Sequence, residues 1–470
     1  MNGPDTMHDP STMTAEALAA AFRDGTTSAG ANVAATLARI ARVDGAVNAF
    51  TDILAPRAQA RAEVLDAARD RGEPLGPLAG VPFAVKNLFD IAGLPTRAGA
   101  KINRDRAPAE RDGALVRRLE AAGAILVGGL NMGEYAYDFT GENVHDGSTR
   151  NPHDLDHMSG GSSGGSGGAV GAGLVPIALG SDTNGSIRVP STFCGCFGLK
   201  PTYGRLSRAG SFPFVGSLDH VGPMARSVTD LALSYDAMQG PDPDDPVATT
   251  RPAEPALPHL SDGLGNLRVA VAGGYFARGG DAEAFAAVAA IARALGVTRS
   301  VEIPEAARAR AAAYLITAAE GAALHLDRLR TRAEDFDPAV RDRLIAGAMI
   351  PAPMVERAQR FRRWYRAAVI ELFREVDVIL APATPCRAPR SGQTTFVLDG
   401  VTLPVRANIG VFTQPISFVG LPVVAVPVRL DDGLPLGVQV IAAPWREAYA
   451  LRVAHQLERD GIVRAPVANL

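Results

Sequence analysis

One stretch, residues 158–203, limits what this chain can fold into more than any other: MSGGSSGGSGGAVGAGLVPIALGSDTNGSIRVPSTFCGCFGLKPTY. Two glycine- and serine-rich turns bracket a run of small residues and an apolar segment, 174–179. A flexible glycine–serine linker carries no such interior. The pattern predicts a short helix–strand unit held between two serine-bearing turns. In the second turn, SDTNGS (181–186), Asn184 and Gly185 can adopt positive φ. Successive backbone N–H groups would then face one concavity, an anion nest able to hold an oxyanion beside Ser186.

The 470 residues together supply ample core: 47% are hydrophobic and 21% charged. With 47 basic and 50 acidic side chains the formal charge is −3, so there is no net basic field for nucleic acid. The three cysteines, Cys194, Cys196 and Cys386, cannot form a closed disulfide set, and C-x-C alone is a weak metal signal. They read as small packing residues in a reducing compartment. The first residues show no basic and apolar signal pattern. No segment approaches the ~18–20 unbroken apolar residues that span a bilayer. The expectation is a cytoplasmic protein without membrane contact, with residues 1–13 disordered and 14–470 forming one domain.

Periodicity predicts helices over 14–22, 31–43 and 57–71, then a strand within 77–89. Helix then strand follows over 112–130, and a loop-rich segment over 132–156. A helix at 228–238, a strand at 267–273 and largely helical residues over 281–376 come next. The run VDVILAPAT (376–384) reads as a buried parallel strand. Strands at 420–428 and 433–441 and a helix from 447 complete the chain. Strands alternating with helices along the whole length predict an α/β fold, a central sheet covered on both faces.

The chemistry is narrowed by what is missing. Neither G-x-x-x-x-G-K-[ST] nor G-x-G-x-x-G occurs. G-x-S-x-G occurs at 161–165 and 164–168, but such matches arise from composition alone here. HMSGG is a poor strand for a nucleophile elbow, and only His455 lies near the C-terminus. His153 and His157 stand four apart, yet Pro152 and the neighbouring acids predict a loop, and no metal site is expected.

A serine hydroxyl needs a base, and none of the eight histidines lies in 158–203. Lysine can serve if burial lowers its pKa from about 10.4 by several units. Lys86 ends the alternating run Val81, Phe83, Val85. Two readings of it stand open: a strand-end lysine reaching water, or a buried, neutral amine. Ser162, flanked by glycine, could pass a proton between such an amine and Ser186.

The stretch 158–203 resembles the signature of the amidase signature family. GVPFAVKNLF (80–89) is similar to the family's lysine motif. RIARVDGAVNAF (39–50), SLDHVGP (217–223) and GLPLGVQVI (433–441) match other landmarks, so the resemblance covers roughly 15 to 455 and is weakest over 240–375. It implies a single-domain α/β fold with a central mixed sheet, no cofactor, and a Ser–cis-Ser–Lys triad of Ser186, Ser162 and Lys86. The spacing of the two serines fits the family and selects Ser162 over Ser163 as the bridge. Ser163 and Ser166 are left to loop hydrogen bonding. The oxyanion hole would use the N–H groups of Thr183, Asn184, Gly185 and Ser186. Many members carry glycine where this chain has Asn184.

The segment 316–352, taken with DTNGSIRVPS, resembles a branch acting on small urea-like amides such as 1-carboxybiuret. That implies an anionic small-molecule substrate, release of ammonia, an oligomer, and a small helical accessory subunit. An arginine would suit the substrate carboxylate. Arg188 is one candidate, with an ion pair to Asp182 as its other reading. Glu320 and His325 are candidates to line the pocket, with 240–375 as a variable helical region on the substrate side. The rival readings are amidases for other carboxamides, the amidase component of glutamyl-tRNA amidotransferase, and a non-catalytic subunit.

Overall fold

A strand that is apolar on both faces must be covered on both sides, and this chain contains several. The computed structural model describes residues 12–470. The strands in chain order are β1 (Phe50–Ile53), β2 (Pro82–Lys86), β3 (Ile125–Leu130), β4 (Arg150–Asn151), β5 (Asp154–Met158), β6 (Ile177–Asp182), β7 (Phe197–Lys200) and β8 (His220–Ala225). They continue with β9 (Val269–Ala272), β10 (Ser300–Val301), β11 (Val378–Pro382), β12 (Thr395–Leu398), β13 (Val401–Pro404), β14 (Val423–Val428) and β15 (Leu436–Ala442). Eleven of them form one mixed sheet in the order β1-β3-β2-β6-β8-β7-β14-β15-β11-β9-β10. β2 runs parallel to both β3 and β6, whereas β8 lies antiparallel to β6. β11 is parallel to β9, as its sequence predicts, but antiparallel to β15.

The period-2 alternation of the strands sorts the core into two layers. Phe83 and Val85 of β2, with Ile177 and Leu179 of β6, belong to one apolar cluster; Ala84 and Ala178 belong to the other. Helices α1 (Ala15–Arg23), α2 (Ala29–Val47), α3 (Ala55–Asp70), α4 (Ala114–Ala121), α5 (Gly164–Gly171), α6 (Arg188–Phe193) and α7 (Val228–Met238) occupy the first half of the chain. The first cluster takes in α1, α4 and α7, and the second α2, α3 and α5. In the second half, α8 (Ala282–Ala294), α9 (Ala306–Thr331), α10 (Pro338–Ala348) and α11 (Ala352–Leu372) fill the region predicted to be helical. Two short helices, α12 (Val405–Asn408) and α13 (Gln414–Val419), and the terminal α14 (Glu447–Arg459) follow. The chain is thus a single-domain α/β fold, a large mixed sheet flanked by helices.

The N-terminal expectation needs a correction. Residues 1–11 of the segment expected to be disordered lie outside the described residues, but Thr12 and Met13 are described. Their carbonyls accept Arg226 Nη2 at 3.1 and 2.6 Å. Thr14 caps α1 as its sequence predicts, accepting the Ala17 N–H. Among the described residues no helix is long and apolar enough to cross a membrane.

Candidate active site

Because β2 and β6 are parallel neighbours in register, Phe83 beside Ile177 and Val85 beside Leu179, their C-terminal ends emerge together. That places Lys86 next to Ser181. Lys86 does not reach water; it is fully buried. Its Nζ lies 2.7 Å from Ser162 Oγ, 2.9 Å from Ser181 Oγ and 3.0 Å from Ser163 Oγ. Burial pulls its pKa down to about 7, against the opposing pull of Asp182, Asp219 and Asp138. A neutral amine has two N–H donors and one lone pair, so one of three hydroxyl partners must donate to it. Ser163 spends its proton on the Ser181 carbonyl at 3.1 Å. Ser162 makes no other side-chain hydrogen bond among the described residues and is free to donate to Nζ.

The Gly161–Ser162 peptide is cis. The residues that follow Ser162 form α5, and its glycines leave room for backbone from elsewhere that passes too close for a Cβ. At Gly165 a Cβ would sit 2.7 Å from the Ala49 carbonyl oxygen, and at Gly171 it would strike the Cys194 carbonyl. Within α5, Ser166 donates to the Leu179 carbonyl at 2.9 Å. The two serine turns meet where the Ser163 N–H donates to the Ser186 carbonyl at 3.3 Å.

Between β6 and α6, the backbone N–H groups of Thr183, Asn184, Gly185 and Ser186 make no hydrogen bond among the described residues, although all four residues are buried. Buried, unpaired donors are uncommon and ask for a ligand. Gly185 has φ 142°, and a Cβ there would collide with the Thr413 side chain. Thr413 in turn donates to the Asn184 carbonyl at 2.7 Å and so fixes the turn. Asn184, expected to tolerate a left-handed conformation, is not called on to do so. The Ser186 hydroxyl makes no hydrogen bond among the described residues and lines a narrow cleft.

Buried ionic groups brace this turn. Asp182 is paired with Arg188 at 2.9 Å, both fully buried. Burial alone would raise the Asp182 pKa, but the Arg188 charge and hydrogen bonds hold it far below the usual carboxylate range. Asp219, of the SLDHVGP motif, accepts Thr183 Oγ1 at 2.7 Å and the N–H groups of Phe214 and Val215 at 2.8 and 2.9 Å.

The three candidates for contact with substrate are engaged elsewhere, Arg188 by the ion pair with Asp182 that was its other reading. The Arg188 guanidinium is consumed by Asp182, the Thr413 carbonyl, Gln439 Oε1 and Ser417 Oγ. Glu320 accepts the Ser217 N–H and hydroxyl, and so holds a loop. His325 is fully buried against Tyr135, Phe212 and Phe336; burial, with Arg328 nearby, lowers its pKa to about 3 and leaves it neutral. None of the three lines the Ser186 cleft.

What does line it, beside the turn, comes from distant chain: Tyr137, Phe139, Phe214, Tyr314 and Thr317 of α9, Arg343 of α10 and Gln414 of α13. Arg343 stacks over the Tyr137 ring at 3.9 Å and donates Nε to the Ala339 carbonyl and Nη2 to the Tyr137 carbonyl. Its Nη1 has no hydrogen bond among the described residues. Sequence reasoning did not single out Arg343; its place in 316–352 was the only signal. Among the described residues no group of three or more His, Cys, Asp or Glu side chains is placed to hold a metal. His153 contacts the Cys194 carbonyl and Arg429, while His157 pairs with Asp154 in β5.

Chemically, a lysine neutral near pH 7, a relaying hydroxyl, a free serine hydroxyl and unpaired amides can carry acyl transfer. The amidase family model matches residues 31–451. The chain is 54% identical over 430 residues to AtzE, a 1-carboxybiuret hydrolase subunit of Pseudomonas sp. (strain ADP), covering 91% of this chain and 94% of that one. It is 39% identical over 466 residues to a glutamyl-tRNA(Gln) amidotransferase subunit of Anaeromyxobacter sp. (strain K), covering 92% and 93%. A solved structure, described as a vestigial protein complex that reveals the evolutionary origins of an s-triazine catabolic enzyme, superposes with a TM-score of 0.95 at 53% identity, over 96% of this chain and all of that one. With that agreement in sequence and fold, the chain belongs to the amidase signature family and is a hydrolase of carbon–nitrogen bonds other than peptide bonds.

Proposed function

We propose that this enzyme hydrolyses a small, anionic, urea-like amide, 1-carboxybiuret, with release of ammonia, through Lys86, Ser162 and Ser186. The observation that carries the reading is one cleft holding both the free Ser186 hydroxyl and a cation, Arg343. Likeness to the carboxybiuret hydrolase subunit supports it. In the cycle, neutral Lys86 takes the Ser162 proton as Ser162 takes that of Ser186. Ser186 Oγ bonds to the terminal carbamoyl carbon, and the N–H groups of residues 183–186 receive the oxyanion. Collapse breaks the carbon–nitrogen bond, and Ser162 returns the proton to the departing ammonia. Water then attacks the acyl-enzyme by the same relay, and its oxygen leaves in the product carboxylate.

Arg343 pairs with the substrate carboxylate, a charge-assisted contact that favours an anionic amide over a neutral one. An ordinary lysine is neutral about once in ~2,500 molecules at pH 7; one titrating near 7 is neutral about half the time, a gain on the order of 10³ in competent base. A small helical accessory subunit is part of the proposal, supported by likeness to a chain described within a protein complex.

Ammonia release from 1-carboxybiuret, biuret and glutamine tests the reading. The purified chain should turn over 1-carboxybiuret, and Ser186→Ala should abolish turnover. Glutamine turnover confined to reactions with tRNA and partner subunits would replace it with the amidotransferase reading. Activity surviving in Ser186→Ala would remove Ser186 as nucleophile.

A further inference from the structure

Asn184 has a buried oxygen with no partner. The residue is 7% exposed and lines the cleft beside Ser186. Its Nδ2 donates to Thr317 Oγ1 of α9 at 3.0 Å, and its backbone carbonyl accepts Thr413 Oγ1 at 2.7 Å. Backbone and carboxamide are therefore both anchored, while Oδ1 makes no hydrogen bond among the described residues. Leaving such an acceptor buried and unpaired is costly unless a ligand supplies the donor. Nor does the turn need an asparagine for its shape, since the positive φ falls on Gly185. Thr317 holds the carboxamide and Thr413 the backbone carbonyl, so the side chain stands beside the unpaired amides of 183–186, one of them its own, where the proposed cycle puts the scissile carbamoyl. Across the same cleft Gln414 Oε1 is held by Arg310 Nε at 3.0 Å, which leaves its Nε2 end to the cleft.

We propose that Asn184 Oδ1 is the specificity-determining acceptor for the N–H that adjoins the scissile carbonyl, so that the cleft selects ureas over carboxamides with a methylene in that place. The inference deepens the proposed function and rests on the same reading of the cleft. A urea N–H satisfies Oδ1. A methylene leaves it buried and unpaired, and sites built around a hydrogen bond reject analogues lacking the donor far better than apolar sites discriminate methylenes.

Two stable anions isolate this contact: 3-ureidopropionate and glutaramate. Both carry a terminal carbamoyl and a carboxylate at equal spacing, and they differ in N–H against CH₂ beside the carbamoyl. Inhibition constants for both are measured with wild type, Asn184→Ala and Asn184→Gly. Thr317→Val, which releases the carboxamide without touching the turn, is the fourth protein. Wild type should bind the urea at least tenfold more tightly; the ratio should collapse toward unity in Asn184→Ala and Asn184→Gly and fall in Thr317→Val. A disturbed backbone turn would weaken both ligands together and leave the ratio intact. An unchanged ratio in all three variants, or a wild-type preference for glutaramate, overturns the inference. If wild type fails to hydrolyse 1-carboxybiuret yet shows the ratio and its collapse, the proposed substrate fails and the acceptor role stands.

Discussion

A lysine that titrates near pH 7 inside a protein leaves two signatures. The first is kinetic. Competent base requires neutral Lys86, so kcat/KM should rise about tenfold per pH unit below the midpoint and level off above about pH 7. A profile flat from pH 5 to 9 would exclude Lys86 as the base. The second is thermodynamic. In the unfolded chain the amine keeps its ordinary pKa of about 10.4. Between about pH 7 and 10.4 the unfolded state therefore binds the extra proton, and stability rises with pH across that window. Lys86→Met lacks this slope. The stability of wild type relative to Lys86→Met, from urea midpoints, should increase from pH 7 to pH 10, by an amount on the order of several kcal/mol. A constant difference would mean that the amine is charged in the fold.

The unit formed by β6, its turn and α6 places the chemistry, and Gly185 is where it is most easily broken. At φ 142° and packed against Thr413, the position takes no Cβ without moving the amides of 183–186. Gly185→Ala should lower kcat by ~10²–10³, as loss of an oxyanion donor does, while the pH midpoint set by Lys86 stays in place. A variant with wild-type kcat would show that these amides do not hold the oxyanion. Part of this unit was legible beforehand: the end of the apolar run 174–179 lies in β6, and elsewhere Thr14, Val228 and Glu447 mark helix starts in the right places. A short helix was legible here, but not why so many of its positions must be glycine, because the reason, backbone at Ala49 and Cys194, is distant in sequence. The same limit hid Arg343 and Gln414, brought to Ser186 by α10 and α13; the Arg188–Asp182 pair was legible, and its further partners Gln439 and Ser417 were not. Local pattern reports periodicity and turn chemistry; it does not report which strands pair or which helices converge.

At the scale of the whole molecule, a buried acidic junction ties the chain's two ends to its middle. Asp230 of α7 accepts the N–H groups of Ala15 and Glu16 at 2.9 Å, and Glu458 of α14 accepts that of Val228 at 2.9 Å. Burial raises Asp230 to about 6 and Glu458 to about 7; the backbone donors oppose the shift, and Asp230 and Glu16 add to it at Glu458. An unfolded glutamate titrates at about 4.3. Between that value and about 7 the folded state holds more protons than the unfolded one, so this group makes stability fall as pH rises through the window. Above it the folded protein carries the full cost of a half-buried, repelled carboxylate. Glu458→Gln removes the charge and keeps a carbonyl oxygen for the Val228 N–H. It should therefore stabilise the protein by about 2–3 kcal/mol more at pH 8 than at pH 5, read from urea midpoints at the two values. Activity on the substrate should be unaltered, because no residue of the junction lines the Ser186 cleft. Destabilisation at pH 8 would show instead that the charged carboxylate is worth more to α7 through its hydrogen bond than it loses to burial.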